Sequence, residues 1–368
     1  MAPRVAMIGT GWSLRVQTSA FREAGIEVAA LWSRSEEKAR RFAAERGIPL
    51  GTSELREILE HPEIDLVSVT TPPHTHRELS LAALAAGKHV LCEKPFALDA
   101  AEAAQMAAAA RARPDRLALV DHELRFLPVH RRFRELLADD FAGPLYHVEI
   151  NHHSPGRLDP DIPFDWWSER AKGGGYWGAL GSHYVDLLHW LVAAAGRYRI
   201  AAASASLQPL IPERRDADGL LRPVTADEEA MVRLRLEDED GRAVPVLLHL
   251  SAGVAAPPPH RIQVAGARGT LRYEGQRLLG QRVEPGARRR EVADFTPEPG
   301  TGPVDGRDDD WARGSVHLGR ALRDALDTGD GSSLAGLAAT FDDGLRTQRT
   351  LDAARASSDA EGAWVGIG

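Results

Sequence analysis

The chain has 368 residues, 45 basic and 53 acidic, giving a net charge of −8, with 43% hydrophobic and 27% charged residues. This is the composition of a globular protein long enough for two hydrophobic cores, and its acidic balance argues against nucleic acid or an anionic membrane as the main partner. No apolar stretch reaches the roughly 18 residues of a membrane span, and a single cysteine, Cys92, excludes an intrachain disulfide. Met1-Ala2-Pro3-Arg4 runs straight into a strand-like segment without an apolar leader, so a cytoplasmic location is expected.

The first third alternates strand-like and helix-like pieces. Arg4–Gly9 is an apolar run ending in glycine, Val16–Ala24 is helix-like, and Glu27–Trp32 is a second strand. Glu36–Gly47 is a charged, Ala-rich helix with glycine past its end. Ser53–His61 is a short helix, and Asp65–Thr70 is a strand broken by Pro72-Pro73. His76–Ala86 is a helix stopped by Gly87, Lys88–Cys92 a strand, Ala100–Arg113 a helix and Leu117–Val120 a strand. Strands separated by helices at this spacing predict a doubly wound parallel sheet over residues 1–121.

Beyond that point the rhythm changes. His130–Leu137 and His183–Ala195 are helices, and Leu145–His153 alternates like a half-exposed strand. Further strands are expected at Arg199–Leu207, Glu229–Glu237, Val244–Ser251, Ile262–Ala265 and Thr270–Tyr273, with an acidic hairpin turn at Glu237–Gly241. Pro285–Asp310 is a loop, and Trp311–Leu326 and Ala335–Ala356 are closing helices. Residues 122–368 are therefore expected to form one α+β domain with a large, open, mainly antiparallel sheet.

Several residues carry chemistry. Val5-Ala6-Met7-Ile8 enters Gly9-Thr10-Gly11-Trp12, the form of a strand meeting a glycine turn, where backbone N–H groups can approach a pyrophosphate at a helix N-terminus. Leu14 stands where the usual fingerprint has its third glycine, so the dinucleotide reading leans on the βαβ context. The second strand ends in Ser33-Arg34, where an NAD site usually has an acid for the ribose hydroxyls. A hydroxyl beside a guanidinium suits a 2′-phosphate, so NADP is expected ahead of NAD. Glu93-Lys94-Pro95 closes the run His89-Val90-Leu91-Cys92, outside the carboxyl end of a strand, where open α/β sheets bind ligands. His147, Glu149, Asn151 and His153 share a strand face, but nothing in their pattern supports a metal, and none is expected. Arg288-Arg289-Arg290 reads as a solvated loop.

The segments Ile8-Gly9-Thr10-Gly11, Thr71-Pro72-Pro73-His74-Thr75-His76, Gly87 through Pro95, and Gly173-Gly174-Gly175 through Asp186 together resemble the glucose-fructose oxidoreductase / inositol dehydrogenase / MocA-like (Gfo/Idh/MocA) family over essentially the whole chain. The resemblance implies a Rossmann domain, a second domain whose open sheet mediates dimers or tetramers, and an active site between them. It implies that Lys94 contacts the hydroxyl being oxidised and that His183 is the second catalytic residue. Thr71, Pro72, His76 and Glu93 would lie on the cofactor side, and Asp186 would bind substrate. His183 and Asp186 also share a helix face by spacing, and a place in the first helical turn would favour neutral imidazole. His122, Arg125 and Trp167 are further candidates for substrate contact. Ala179 stands where many relatives carry an acid four residues before the histidine, and Pro73 where asparagine is frequent.

The expected activity is hydride transfer between nicotinamide and a secondary hydroxyl or ketone of a sugar, inositol or related polyol. Two rivals share the fold: a redox-assisted glycosidase that retains its cofactor without net turnover, and a non-catalytic cofactor-binding regulator.

Overall fold

A computed structural model describes residues 2–196, 198–283 and 291–368, and all side chains among them except those of Trp12 and Ser13. The triple-arginine segment 288–290 lies outside the described residues. The chain divides into two compact units, one of residues 1–127 with 299–345, the other of residues 128–298 with 346–368.

The first unit holds six parallel strands: β1 (Arg4–Ile8), β2 (Glu27–Trp32), β3 (Leu50–Thr52), β4 (Leu66–Val69), β5 (His89–Cys92) and β6 (Ala118–Val120). Their order is β6-β5-β4-β1-β2-β3, with Ala339–Thr340 added antiparallel beyond β6. The connecting helices are α1 (Trp12–Glu23), α2 (Glu36–Arg46), α3 (Leu55–Leu59), α4 (His76–Ala85) and α5 (Ala100–Arg111). Side chains alternate across a sheet buried on both faces. Met7, Leu31 and Leu91 point into one core, and Ile8, Val69 and Val90 into the other. Burying each such side chain contributes about 1.5–3 kcal/mol. Strand order reverses between β1 and β4, which opens a crevice at their carboxyl ends.

Residues 299–345 belong to this unit, whereas contiguity in sequence puts them in the second domain. The reason is packing. Ala312 and Val316 of the helix Asp310–Thr328 pack on Val16 and Ala20 of α1, and Leu318 and Leu322 complete the core under β1 and β2. Strand β3, absent from the sequence reading, is only three residues long and includes Gly51, so it carries no alternation.

Among the described residues, the second unit holds a small two-stranded sheet, Glu213–Arg215 with Leu221–Pro223, and a nine-stranded one. From one edge the order is Ala293–Asp294, Arg277–Arg282, Gly269–Glu274, Arg261–Gly266, β7 (Leu145–His153), Ala243–Ser251, Glu229–Glu237, β8 (Arg199–Gln208) and Val365–Gly366. Every pairing is antiparallel except β7 with Ala243–Ser251. Arg277–Arg282 was not expected as a strand. Its Gly280 lets the rings of Phe295 and Phe141 close over it, contacts invisible in a charged hexapeptide. Helices α6 (Pro128–Ala138) and α7 (Ser182–Ala195) lie together on one face. On the other, Met231 and Leu247 are about half exposed, at 51% and 45%.

Candidate active site

The crevice of the first unit is built from strand ends. At the end of β1, Gly9 has φ +131°, and a Cβ there would sit 2.7 Å from the Thr70 carbonyl oxygen at the end of β4, so only glycine fits. At Gly11, which caps α1, a Cβ would meet no protein atom. The α1 N-terminus has no side-chain cap and no acid in its first turn. A helix N-terminus without a side-chain cap, with open space at Gly11, suits the pyrophosphate of a dinucleotide. The side chain of Trp12 is not described. Leu14, at the third fingerprint position, is buried in the core.

At the end of β2, Ser33 is half-buried, and its Oγ accepts from the Ser35 N–H at 3.4 Å. Ser35 caps α2 through the Lys38 N–H. Arg34 is exposed and makes no ion pair among the described residues. A free guanidinium at this edge is available to a ligand phosphate.

At the end of β4, Thr71 and Pro72 are half-buried. His76 is fully buried, with Nδ1 3.0 Å from the Pro95 carbonyl and Nε2 2.7 Å from the Thr71 carbonyl. Burial pushes its pKa down, opposed by the carbonyl of Thr71 and the charge of Glu93. Both neighbours only accept, so a neutral ring donates to one at a time. His76 is thus a strut between the Thr71 loop and the Glu93-Lys94-Pro95 loop, whose Lys94-Pro95 bond is cis.

Glu93 and Lys94 close β5, both half-buried. The Lys94 backbone N–H donates to Glu93 Oε2 at 3.1 Å. Gln17, on the buried stripe of α1 with Leu14 and Phe21, donates from Nε2 to Glu93 Oε1 at 3.1 Å and to Asp121 Oδ2 at 2.5 Å. Ser68 Oγ on β4 donates to Gln17 Oε1 at 2.6 Å. Asp121 follows β6, and its Oδ1 is buried without a hydrogen-bond partner. Burial, then the charge of Glu93, pushes the Asp121 carboxyl well above the usual range, with Gln17 and Lys94 opposing. Glu123 is pushed the same way by burial and then by Asp121. Cys92, buried beneath them, has its thiol pKa raised by burial and is an inert packing residue.

His122 and Arg125 were expected to open the second domain, but they lie in the first unit, around the turn Glu123–Phe126. Both are buried, and Arg125 faces Asp343 at 3.6 Å.

In the second unit, His183 and Asp186 are buried on α7. His183 is not at a free helix end. A wider, π-type turn, Trp177–Gly181, runs directly into α7, and the true N-terminus lies upstream. There the Trp177 N–H donates to Asp227 Oδ2 at 2.6 Å. The expected dipole effect on His183 is therefore transferred to Asp227. The preceding glycines are packing sites: a Cβ on Gly174 would lie 2.3 Å from the Trp167 carbonyl oxygen, and one on Gly175 2.5 Å from Asp227 Oδ1. Trp167 is half-buried, with Tyr176 against its ring and the Arg157 guanidinium 4.8 Å from its centroid. Next to His183, Tyr184 contacts His152 Nδ1 of β7 through its hydroxyl at 2.6 Å. Burial, with His260 and His153 nearby, pushes His152 down to about 3, so this ring is neutral.

The structure thus gathers Gly9, Gly11, Arg34, Thr71, His76, Glu93 and Lys94 along one end of the first sheet, and His183, Asp186 and Trp167 within the second unit. The sequence reading missed Gln17 and Asp121. A polar residue on an apolar helical stripe and a carboxyl ending a buried strand were the signals that could have found them. Among the described residues no group of histidine, cysteine or acidic side chains could hold a metal ion, and no helix is long and apolar enough to cross a membrane.

Comparison with known proteins agrees with this architecture. Residues 3–122 match the family described as "Oxidoreductase family, NAD-binding Rossmann fold" (GFO_IDH_MocA), and residues 130–272 match its C-terminal domain. Glucose-fructose oxidoreductase domain-containing protein 2 of Homo sapiens is 31% identical, covering 100% of this chain and 94% of its own. Levoglucosan dehydrogenase, solved in complex with NADH and levoglucosan, is similar in fold, with a TM-score of 0.86 at 22% identity over 100% of both chains. An inositol dehydrogenase homolog from Azotobacter vinelandii, solved with NADH and myo-inositol, gives 0.78 at 22% identity over 100% of this chain and 98% of its own. A glycine turn at the β1/β4 reversal, a lysine closing β5 and a match spanning both units make this chain a member of the Gfo/Idh/MocA oxidoreductase family.

Proposed function

We propose that this protein is an NAD(P)-dependent dehydrogenase or reductase acting on a secondary hydroxyl, or the matching ketone, of a sugar, inositol or related polyol. The observation that carries the reading is Lys94 closing β5 at the same sheet end as the uncapped α1 N-terminus and Gly11. When bound, nicotinamide supplies the hydride acceptor or donor. The α1 N-terminus holds the pyrophosphate, with Thr10 and Trp12 in the same turn. Lys94 Nζ takes the hydroxyl proton in oxidation and returns it in reduction, with His183 as the second proton-transfer group. His76 donates its one N–H to the Thr71 or the Pro95 carbonyl and so ties the Lys94 loop to the Thr71 loop. Asp186, Trp167, His122 and Arg125 are assigned to substrate recognition.

Ser33 and the unpaired Arg34 support NADP over NAD, since a guanidinium makes charge-assisted bonds to a 2′-phosphate. The broad sheet face carrying Met231 and Leu247 supports self-association into a dimer or tetramer. The test is a panel of sugars, inositols and sugar acids, each with NAD and NADP, followed at the reduced-nicotinamide absorbance band. Turnover on a polyol is expected, and silence across the panel with proven cofactor binding would overturn the reading. Light scattering tests assembly against the 40.0 kDa monomer mass.

A further inference from the structure

We propose that Gln17, oriented by Ser68, is a positioning residue that clamps the half-buried Glu93 and the buried Asp121 carboxyl groups into one acid pair adjoining Lys94. The inference deepens the role proposed for Lys94 and rests on it.

Four elements meet at this amide: Gln17 from α1, Ser68 from β4, Glu93 from the end of β5 and Asp121 from the end of β6. A side-chain amide nitrogen has two hydrogens, and here each has a carboxyl oxygen, at 3.1 Å for Glu93 and 2.5 Å for Asp121. An amide oxygen turned towards the Glu93 carboxylate would find no donor there, so Glu93 fixes the orientation, and the Ser68 hydroxyl at 2.6 Å completes it. Gln17, Ser68 and Asp121 are all nine-tenths or more buried, so water does not offer an alternative partner. Two carboxyl oxygens sharing one nitrogen lie within about 6 Å of each other, a range in which like charges resist joint ionisation.

Asp121 Oδ1 is buried without a hydrogen-bond partner, which disfavours a bare carboxylate there. The charged and titratable groups that act on Asp121 are Glu93, Lys94, Glu123 and the thiol of Cys92. Asp121 therefore holds the proton of the pair. A pair with one negative charge sets a single counter-charge beside Lys94, where a doubly ionised pair would set two. Gln17 acts through this pair and touches no reacting atom.

The test is infrared titration of the whole protein, with Asp121→Asn identifying the Asp121 carboxylic-acid band. In the parent this band is expected to persist above the ordinary carboxyl range of about pH 4. Gln17→Met keeps side-chain length and removes both hydrogens. The band midpoint should rise by about one to two pH units, the effect of losing a hydrogen bond to a charged group. On the polyol found by screening, kcat should fall about tenfold with KM nearly unchanged, and the alkaline limb of the pH profile should move up with the band. Ser68→Ala, a smaller change, should shift the midpoint in the same direction by less, and it carries the test if Gln17→Met does not fold. A parent band titrating in the ordinary range, or variants with the parental midpoint, would overturn the clamp. The infrared reading requires neither cofactor nor substrate. The expected titration in a protein that turns over no polyol supports the clamp and defeats only the proposed activity.

Discussion

Each unit buries carboxyl groups, and the two settings are built on opposite principles. In the second unit Glu228 is 1% exposed, and both its oxygens are fully engaged. Oε1 accepts from Arg157 Nε at 3.1 Å and Arg214 Nη2 at 2.8 Å, and Oε2 accepts from the N–H groups of Leu210 and Ile211 at 3.2 and 3.0 Å. Burial acts to raise its pKa, but the Ile211 N–H and the two guanidinium groups outweigh it and hold the carboxyl below its ordinary value. In the first unit Glu93, Asp121 and Glu123 crowd around Lys94, Asp121 keeps an unpartnered oxygen, and two carboxyls are pushed upward. A buried charge with every partner satisfied belongs to the scaffold. A group of neighbouring acids whose pKa values burial and mutual charge push upward is a candidate for chemistry instead. The contrast supports the proposal that the first unit's acids and Lys94 take part in the chemistry.

The largest effect is expected at Lys94. Replacement by alanine should lower turnover about 10²–10⁴-fold while cofactor affinity, set by Gly9, Gly11 and the α1 N-terminus, stays near parental. Steady-state kinetics beside direct cofactor titration checks both halves, and near-parental turnover would remove the first unit's cluster from the chemistry.

Stability should show the reverse pattern. Glu228→Gln strands the fully buried Arg214 guanidinium, and breaking a buried pair in this way costs about 3–5 kcal/mol. Asp121→Asn replaces the carboxyl proposed to hold the proton and should stay within about 1 kcal/mol of parent. Denaturant midpoints measure the difference, and equal losses at the two positions would erase the comparison.

The exposed Arg34 marks a third situation, a cation without a protein partner. Arg34→Ala should weaken NADP binding by roughly 1.5–3 kcal/mol and leave NAD unchanged. Calorimetric titration showing NAD bound as tightly as NADP by the parent protein would reverse the cofactor assignment.

The smallest effect is in pH dependence, and its sign differs between units. Glu228 has a depressed folded pKa, so its stabilisation is present above the ordinary glutamate pKa and is lost as pH falls through the folded value. Asp121 has a raised folded pKa, so its neutral form favours the folded state below the ordinary aspartate pKa, and that contribution is lost as pH rises towards the folded value. Each slope is limited to about 1.4 kcal/mol per pH unit. Thermal melts across pH should flatten below the ordinary glutamate pKa in Glu228→Gln and above the ordinary aspartate pKa in Asp121→Asn.

Much of this fold is written locally. The alternating apolar runs from Arg4 to Val120, the glycines at 9 and 11, and the helix from Ser182 follow from periodicity and turn chemistry, which act over a few residues. The same holds for Lys94 at a strand end. Boundaries were less legible where a polar contact overrides propensity. The Ala-rich run from Ala335 reads as helix, yet the helix starts at Phe341, because Thr340 and Asp343 exchange side-chain and backbone hydrogen bonds in a reciprocal cap.

What the sequence by itself determined is most of the strands and helices, though not β3 or Arg277–Arg282, together with the glycine turn and the Glu93-Lys94-Pro95 segment, since each depends on neighbours within a turn or a strand. Tertiary structure alone decided that residues 299–345 complete the first unit, that the helix carrying His183 begins a turn early, and that Gln17 meets Ser68, Glu93 and Asp121. Those facts rest on contacts between residues 50 to 300 positions apart. Such contacts exist only when the sheet has closed and a buried polar atom must find its partner in three dimensions.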